Sequence, residues 1–291
     1  TMNIQKYINK DYQADNKTLL EIQELNKQKQ DLSNFKLSNA ELEKIYLVDA
    51  KMLGCDLSKA NLKNASMYGA NLSSANLFKA NLENANLKNA NLENANLLGA
   101  NLSGTKLENI NWGKDYKVIN ELEAEKAVKD GDLKLSKQKY REAEEVYRSI
   151  KISMQSQTLG DETGHFFIRE MIAKRKQFNK FSTARIGSKI IELTTGYGEK
   201  LSNILFTVIG IIIACMLLYG IEGVSYQDKT LGFFSNDFSF LSTLGNLFYF
   251  SVVVYSTVGF GEMVPIGPIG KSVMIFEGIL GGLVLAILII A

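Results

Sequence analysis

Two strings in this 291-residue chain share nearly the same letters: Thr194-Thr195-Gly196-Tyr197-Gly198-Glu199 and Ser256-Thr257-Val258-Gly259-Phe260-Gly261-Glu262. What such a string offers chemically is backbone rather than side chain. Glycines spaced two apart lack Cβ and permit the alternating conformations that aim successive carbonyls at one axis. A file of such oxygens replaces the water around a dehydrated cation, and a threonine hydroxyl extends the file at one end. No other constellation competes. His165 is the only histidine, and Cys55 and Cys215 lie far apart, so neither a disulfide framework nor a Cys/His metal site is expected. There is no phosphate-binding glycine pattern and no catalytic group set, so the chain is read as no enzyme, with no cofactor.

A carbonyl file has to be held. Unpaired backbone is tolerated at membrane depth only where it is buried in protein or lines an aqueous cavity. It therefore needs an apolar helix on each side and a short helix ahead of it. The second string has all three. Residues 201–221 form 21 residues without a charge, long enough to cross about 30 Å of hydrocarbon. An apolar stretch predicts a short helix at about 240–255, and residues 269–291 form a second long run broken only by Lys271 and Glu277. The 16 residues at 222–237 then make an outer loop. Ahead of the first string lies RKQFNKFSTARIGSKIIEL, basic and amphipathic, which spans nothing. That string is read as a bend at the membrane surface.

With a T-V-G-[YF]-G core at 257–261, an acid at Glu262 and a proline at Pro265, residues 201–291 resemble the pore of two-transmembrane potassium channels. The resemblance implies passive, K+-selective conduction through a homotetramer, since one chain supplies one filter loop. It implies that the carbonyls of Thr257, Val258, Gly259 and Phe260 coordinate K+, with Gly261 completing the filter. Val258 and Phe260 are expected to pack outward against the pore helix, and Ser256, Glu262 and Glu277 to support the filter. Phe260 stands where relatives more often carry tyrosine, and Val253 where some carry glutamate.

Glu277 is the one acid inside a span, and such residues are functional candidates by default. It lies seven residues past Gly270, or about 10 Å deep at 1.5 Å per residue. A hydrogen bond to the pore-helix region of its own or the next subunit is expected, against the alternative of an acid facing the pore. Gly278, Gly281 and Gly282 offer a hinge in the inner helix, Gly281 being favoured by the resemblance. Close helix packing is the other reason for glycine in a membrane helix.

The first half of the chain follows a different rule. From about residue 30 to 112 every fifth residue is Leu, Met or finally Trp112, and two positions earlier stands a small residue, from Cys55 through Ala60 to Ala100. A period of five suits neither a helix nor a strand. It suits a solenoid whose coils stack around a continuous core. The motif resembles the pentapeptide-repeat family, which implies a right-handed quadrilateral β-helix with four pentads per coil. Lys63, Glu83, Lys88 and Glu93 are expected to face water, Cys55 to fill the core and Trp112 to close the last coil. Residues 36–108 carry eight lysines and seven acids, so no anionic face mimics nucleic acid, and no nucleic-acid partner is expected.

The remaining segments connect these two parts. Residues 1–29 are polar, without the apolar run of a cleaved signal, and read as a helical or capping segment. Residues 116–181 read as a helical linker hairpin of tetratricopeptide-like character. Tyr140, Ala143, Tyr147 and Ile150 form one stripe of it, and TLGDETG is the turn. Residues 182–200 read as an interfacial amphipathic segment. Net charge is +2, yet Lys174, Arg175, Lys176, Lys180, Arg185, Lys189 and Lys200 gather before the first span. Positive residues beside a span stay inside. The expectation is a multi-pass plasma-membrane protein of several domains. Its β-helix at 30–115 and its helices are cytoplasmic, serving assembly or gating and open to an unknown cytosolic ligand or protein. Its pore at 201–291 is an all-α, two-transmembrane tetrameric channel. The competing reading is a membrane-anchored interaction scaffold whose pore does not conduct.

Overall fold

Five-residue periodicity becomes structure through a corner in every pentad. In the computed structural model, which describes residues 4–157 and 160–290 with the side chains of 160, 161, 285 and 287–290 left aside, the second residue after each central Leu or Met mostly has positive φ. Asn64, Asn84, Asn89 and Asn94 lie at 57–60°, and Gly69 and Gly99 at 67° and 71°. Asparagine tolerates this left-handed region because its short amide bonds locally. Parallel bridges then join each pentad to the one a coil further on, from Asp31↔Lys51 through to Asn91↔Asn111. Leu, Met and Ala side chains point inward and are buried along the whole axis, Cys55 among them. The Cys55 thiol donates to the Leu32 carbonyl at 2.9 Å, and burial pushes its pKa up to about 12. It is a core filler without thiolate character.

The stacking adds polar ladders that the period alone does not announce. Asn96 Nδ2 donates to Asn76 Oδ1 at 3.1 Å, and Asn76 Nδ2 to Asp56 Oδ1 at 3.1 Å. Asn101, Asn81 and Asn61 repeat the pattern on another side. Lys63, Glu83, Lys88 and Glu93, expected to face water, are instead half-buried. Stacking a coil below each lysine brings an acid to it: Lys63 meets Glu83 at 2.9 Å and Lys88 meets Glu108 at 2.8 Å.

Two units are distinguishable, Thr1–Ser188 and Lys189–Ala291, and each is taken by itself. In the first, helices α1 (Gln5–Ile8) and α2 (Thr18–Lys27) cover one end of the solenoid; residues 1–3 of the expected segment lie outside the described residues. Tyr7 stacks on Phe35 at 4.9 Å, with Ile22 and Leu25 buried beside it. Glu21 joins the two helices, meeting the Lys6 ammonium at 2.5 Å and accepting from the Tyr7 hydroxyl. These donors, Lys6 first, hold its carboxyl below the usual glutamate range. A depressed acid contributes stability above its unfolded pKa, about 4.3, and loses it as pH falls through the folded value. Amide protection over residues 4–27, relative to the intrinsic exchange rate at each pH, is therefore expected to hold at neutral pH and to fall below about pH 4, with the solenoid amides unaffected. Glu21→Gln should bring that loss of protection to neutral pH.

Beyond Trp112 the expected helical linker holds three helices: α3 (Ile119–Lys129), α4 (Leu133–Gln155) and α5 (Gly160–Lys176). The stripe of Tyr140, Ala143, Tyr147 and Ile150 is buried as its spacing predicts. The TLGDETG turn is shorter than read. Residues 158 and 159 lie outside the described residues, and α5 already begins at Gly160. Acids at the head of a helix favour its positive end, and Gly164 is buried within α5, where small size serves packing. Phe166 of α5 meets Trp112 edge-on at 5.0 Å. His165 is exposed and stacks on Tyr116 at 4.5 Å, and no cluster of metal-ligating residues occurs among the described residues.

The second unit begins within the exposed helix α6 (Thr183–Thr195). A single 3-10 turn at Gly196–Gly198 leads to α7 (Leu201–Glu222). Asn203 and Thr207 of α7 donate back to the Leu193 and Thr194 carbonyls at 3.3 and 2.9 Å, which fixes the turn. The 222–237 segment, read as loop, contains a hairpin: β1 (Val224–Tyr226) and β2 (Lys229–Leu231), joined at Gln227 and Asp228 with φ of 52° and 59°. After α8 (Phe240–Tyr255) and the second string, β3 (Met263–Pro265) pairs antiparallel with β1, giving the order β2-β1-β3. Helix α9 (Pro268–Ile290) closes the unit; Ala291 of the expected span lies outside the described residues. A core of Tyr219, Val224, Leu247, Phe250 and Met263 fastens sheet and helices together.

Candidate functional site

The two opening strings adopt different backbones. Gly196, Tyr197 and Gly198 all have positive φ, at 57°, 61° and 92°, which curls the chain into one tight turn. In the second string positive values fall on alternate residues: Thr257 at 58°, Gly259 at 55° and Gly261 at 75°, with Val258 and Phe260 between them outside that region. Alternation of this kind turns successive carbonyls to one side of an extended strand. For the glycines it is free of steric cost. A β-branched threonine in the same region is a true outlier and costs on the order of 1–3 kcal/mol, strain of the sort found at functional sites. The Thr257 hydroxyl donates to the Ser256 carbonyl at 2.7 Å, and the Thr257 and Val258 amides bond back to Val254 and Val253 at 3.0 and 3.2 Å.

Helix α8 delivers this strand. Its C-cap is Ser256, whose hydroxyl donates to Val253 O at 3.1 Å. The negative end of the helix dipole therefore stands directly beside the first carbonyls, a favourable place for a cation. Residues Ser256 to Glu262 are exposed in the single chain. Val258 and Phe260, expected to pack on the pore helix, are 55% and 63% exposed. Phe260 shares a small cavity with Tyr249, Phe250, Val253 and Val254 of α8, so the chain itself covers these side chains only in part.

Glu277 has no exposed surface. One carboxylate oxygen accepts from the Tyr219 hydroxyl of α7 at 2.7 Å, and the other meets the Ser251 hydroxyl of α8. Ser251 also reaches the Ile212 carbonyl at 2.9 Å, and the Tyr219 ring lies edge-on to Phe250 at 4.8 Å. One acid thus ties all three long helices of the unit at the level of the pore helix. Tyr219 and Ser251 did not stand out in the sequence: neither is spaced from Glu277 by a helical or strand period. Glu222 was also missed. It ends α7, yet its carboxylate accepts the Gly270 amide at 2.8 Å and caps the first turn of α9.

The three hinge candidates of α9 separate by packing. A Cβ on Gly281 would lie 1.9 Å from the Tyr255 carbonyl oxygen and 2.9 Å from its carbon, whereas Gly278 and Gly282 have nothing within 4 Å among the described residues. Gly281 therefore lets α9 touch the end of α8, one residue before Ser256. Around this core, α7 is long and apolar enough to cross a membrane, and its Phe206, Ile209 and Leu217 are exposed, as are Ile275, Phe276 and Ile279 of α9.

Residues 220–290 match a family described as ion channel. Residues 31–64, 40–78 and 75–111 match pentapeptide repeats, in eight copies. Among solved structures, a pentapeptide repeat protein from the Arabidopsis thaliana thylakoid lumen is 34% identical over 28% of this chain and 57% of its own, with a TM-score of 0.27. One from Nostoc Pcc 7120 is 33% identical over 33% of this chain and 77% of its own, with a TM-score of 0.23. One from the cyanobacterium Cyanothece 51142 is 45% identical over 28% and 55%, with a TM-score of 0.16. The chain spans little more than half the length of the first and third of these. Comparison with curated proteins returns no match.

Proposed function

Because the chain belongs to the pentapeptide-repeat family over residues 31–111 and carries an ion-channel domain over residues 220–290, we propose that it is the subunit of a potassium-selective channel. Four copies surround one axis, and each contributes the strand Thr257 to Gly261. The carbonyls of Thr257, Val258, Gly259 and Phe260 replace the hydration shell of K+. The observation that carries this reading is the alternating φ along 257–261, with a β-branched residue held in the left-handed region. The exposed Val258 and Phe260 side chains are covered by neighbouring subunits in such an assembly, and the apolar outer faces of α7 and α9 meet lipid. K+ is the only ion the function requires, as cargo, and conduction is passive.

The basic residues from Lys174 to Lys200 hold the preceding segments on the cytoplasmic side of the plasma membrane. There the solenoid, a right-handed four-sided rod, serves assembly or gating. No series of arginines is spaced along an apolar helix, so the field across the membrane has no charged lever of the usual kind to act on. Flux from reconstituted liposomes tests the reading. Wild-type protein is expected to pass K+ in preference to Na+, and Gly259→Asp, at equal incorporation, to abolish the flux. A folded, tetrameric wild type that passes no K+ would leave an interaction scaffold anchored in the membrane.

A further inference from the structure

The first unit holds a cavity of about 550 Å3 between the end of α3, the start of α4 and the junction of α5 with α6. That lies within the roughly 300–1,000 Å3 common to small-molecule sites. Its charge is one-sided. Lys129, Lys137, Lys176, Lys180 and Arg185 line it, against Glu125 alone, and Glu125 is already engaged by Lys117 at 2.8 Å. None of the five cations forms an ion pair with a carboxylate among the described residues; Arg185 instead donates to the Phe178 carbonyl at 2.9 Å. Desolvation against the cavity wall, joined by the Arg185 and Arg175 guanidinium groups, pulls the Lys176 pKa below the usual lysine value. Like charges are gathered here, and Glu125 and Glu121 offset Lys176 only without direct contact.

The wall carries a second, independent sign. Ser136 and Tyr140 stand one turn apart on α4, 4% and 3% exposed, and both line the cavity. Neither hydroxyl has a hydrogen-bond partner among the described residues. Each belongs to a nearly buried residue that lines the cavity, where an acceptor on a bound molecule can meet it. Apart from Asn179, the rest of the wall is apolar, from Val128, Leu133 and the Phe178 ring. Five cations call for more than one negative charge, and a phosphate group supplies two charges with several acceptor oxygens. The apolar wall calls for an organic body attached to it.

The geometry points to a binding site for an organic phosphate, held by Lys176 and Arg185 at its charged end and by Ser136 and Tyr140 at its polar edge. Arg185 lies in the first turn of α6, the helix that runs on to Thr195 ahead of α7. A phosphate shared between Lys176 and Arg185 ties that turn to α5. Resting on the channel reading above, occupancy of the site is then a gating input. A soluble nucleotide and a phosphate-bearing lipid present the same chemistry, and the test separates them.

Full-length protein in phosphatidylcholine nanodiscs is titrated with ATP and with inorganic phosphate by calorimetry, and phosphatidic acid retention is measured in detergent by native mass spectrometry. ATP binding, or phosphatidic acid retention, is expected to weaken about tenfold or more in Lys176→Gln/Arg185→Gln. Tyr140→Phe, which removes one hydroxyl and keeps the ring, should weaken it about threefold or more. Lys63→Gln, far along the solenoid, should leave it unchanged. ATP binding with these losses assigns a soluble ligand, and lipid retention with them a membrane ligand. Absence of binding to all three probes, or equal binding by the cavity variants, overturns the site. Flux is recorded separately. Binding without any K+ flux overturns the channel and keeps the site, while a flux that ignores a bound probe overturns the gating link.

Discussion

Substituting alanine for Gly281 is expected to abolish potassium flux and to lower the melting temperature of the assembled protein, while the same change at Gly282 leaves both intact. The difference comes from what each Cβ meets. At Gly281 the new methyl would sit 1.9 Å from the Tyr255 carbonyl oxygen, and at Gly282 it meets open space. Overpacking costs about 1–3 kcal/mol when side chains can yield; here the obstacle is helical backbone, which yields less. Either α9 withdraws or the end of α8 shifts, and that end leads through Ser256 into Thr257. At Gly282 alanine gains up to about 1 kcal/mol of helix propensity. The contrast also distinguishes two roles for Gly281. A pure hinge predicts altered open probability with unchanged melting in Gly281→Ala. The packing role predicts that both fall together, as measured by single-channel recording and detergent melting of the same preparation.

Glu277→Ala should be nearly as severe, and Glu277→Gln mild. The alanine removes the acceptor for the Tyr219 hydroxyl and the partner of Ser251 inside an apolar three-helix core, and it leaves a cavity. The Tyr219 hydroxyl is stranded, while Ser251 keeps the Ile212 carbonyl; that loss and the lost side-chain volume together cost about 2–5 kcal/mol. Glutamine keeps an acceptor oxygen and nearly the same volume, so a loss of about 1 kcal/mol is expected. Thermal melting of the purified protein in detergent reads the two values. If Glu277 instead faced the conduction path, the ranking would move to conductance: glutamine would lower the K+ current and leave melting alone.

Much of this arrangement was legible because single residues are over-determined. In the solenoid each inward Leu or Met recurs every fifth residue and nothing else fits that period, so Leu62 or Ala80 could be placed without coordinates. The second string was separable from the first because apolar runs flank one and a basic segment precedes the other. The structure adds a reason at the level of dihedral angles, three positive values in succession against three in alternation. What escaped were contacts between segments remote in sequence. The strand pair β1–β3 joins Val224 to Pro265, and three residues are too short to register a period of two. The hairpin turn uses Gln227-Asp228 in place of the Asn-Gly that marks such turns. Glu222 read as the start of a loop because its partner, the Gly270 amide, carries no side chain. The start of α5 was placed too late because Gly160 and Gly164 look like breaks when burial is unknown.

The two ends of the solenoid have a consequence for what it can touch. A stack of parallel coils normally finishes in open edges whose amides and carbonyls invite another β-structure to continue the stack. Here several of those groups are taken by the chain itself. At one end Gln23 accepts from the Tyr46 amide, Asn26 donates to Val48 and Tyr7 accepts from Lys36. At the other, Ser153 donates to Leu102, and Gln157 bonds both Thr105 and Leu107. The rod is stoppered. Capped in this way among the described residues, its ends offer a second rod little to continue, which turns recognition sideways, across faces lined with asparagine rungs.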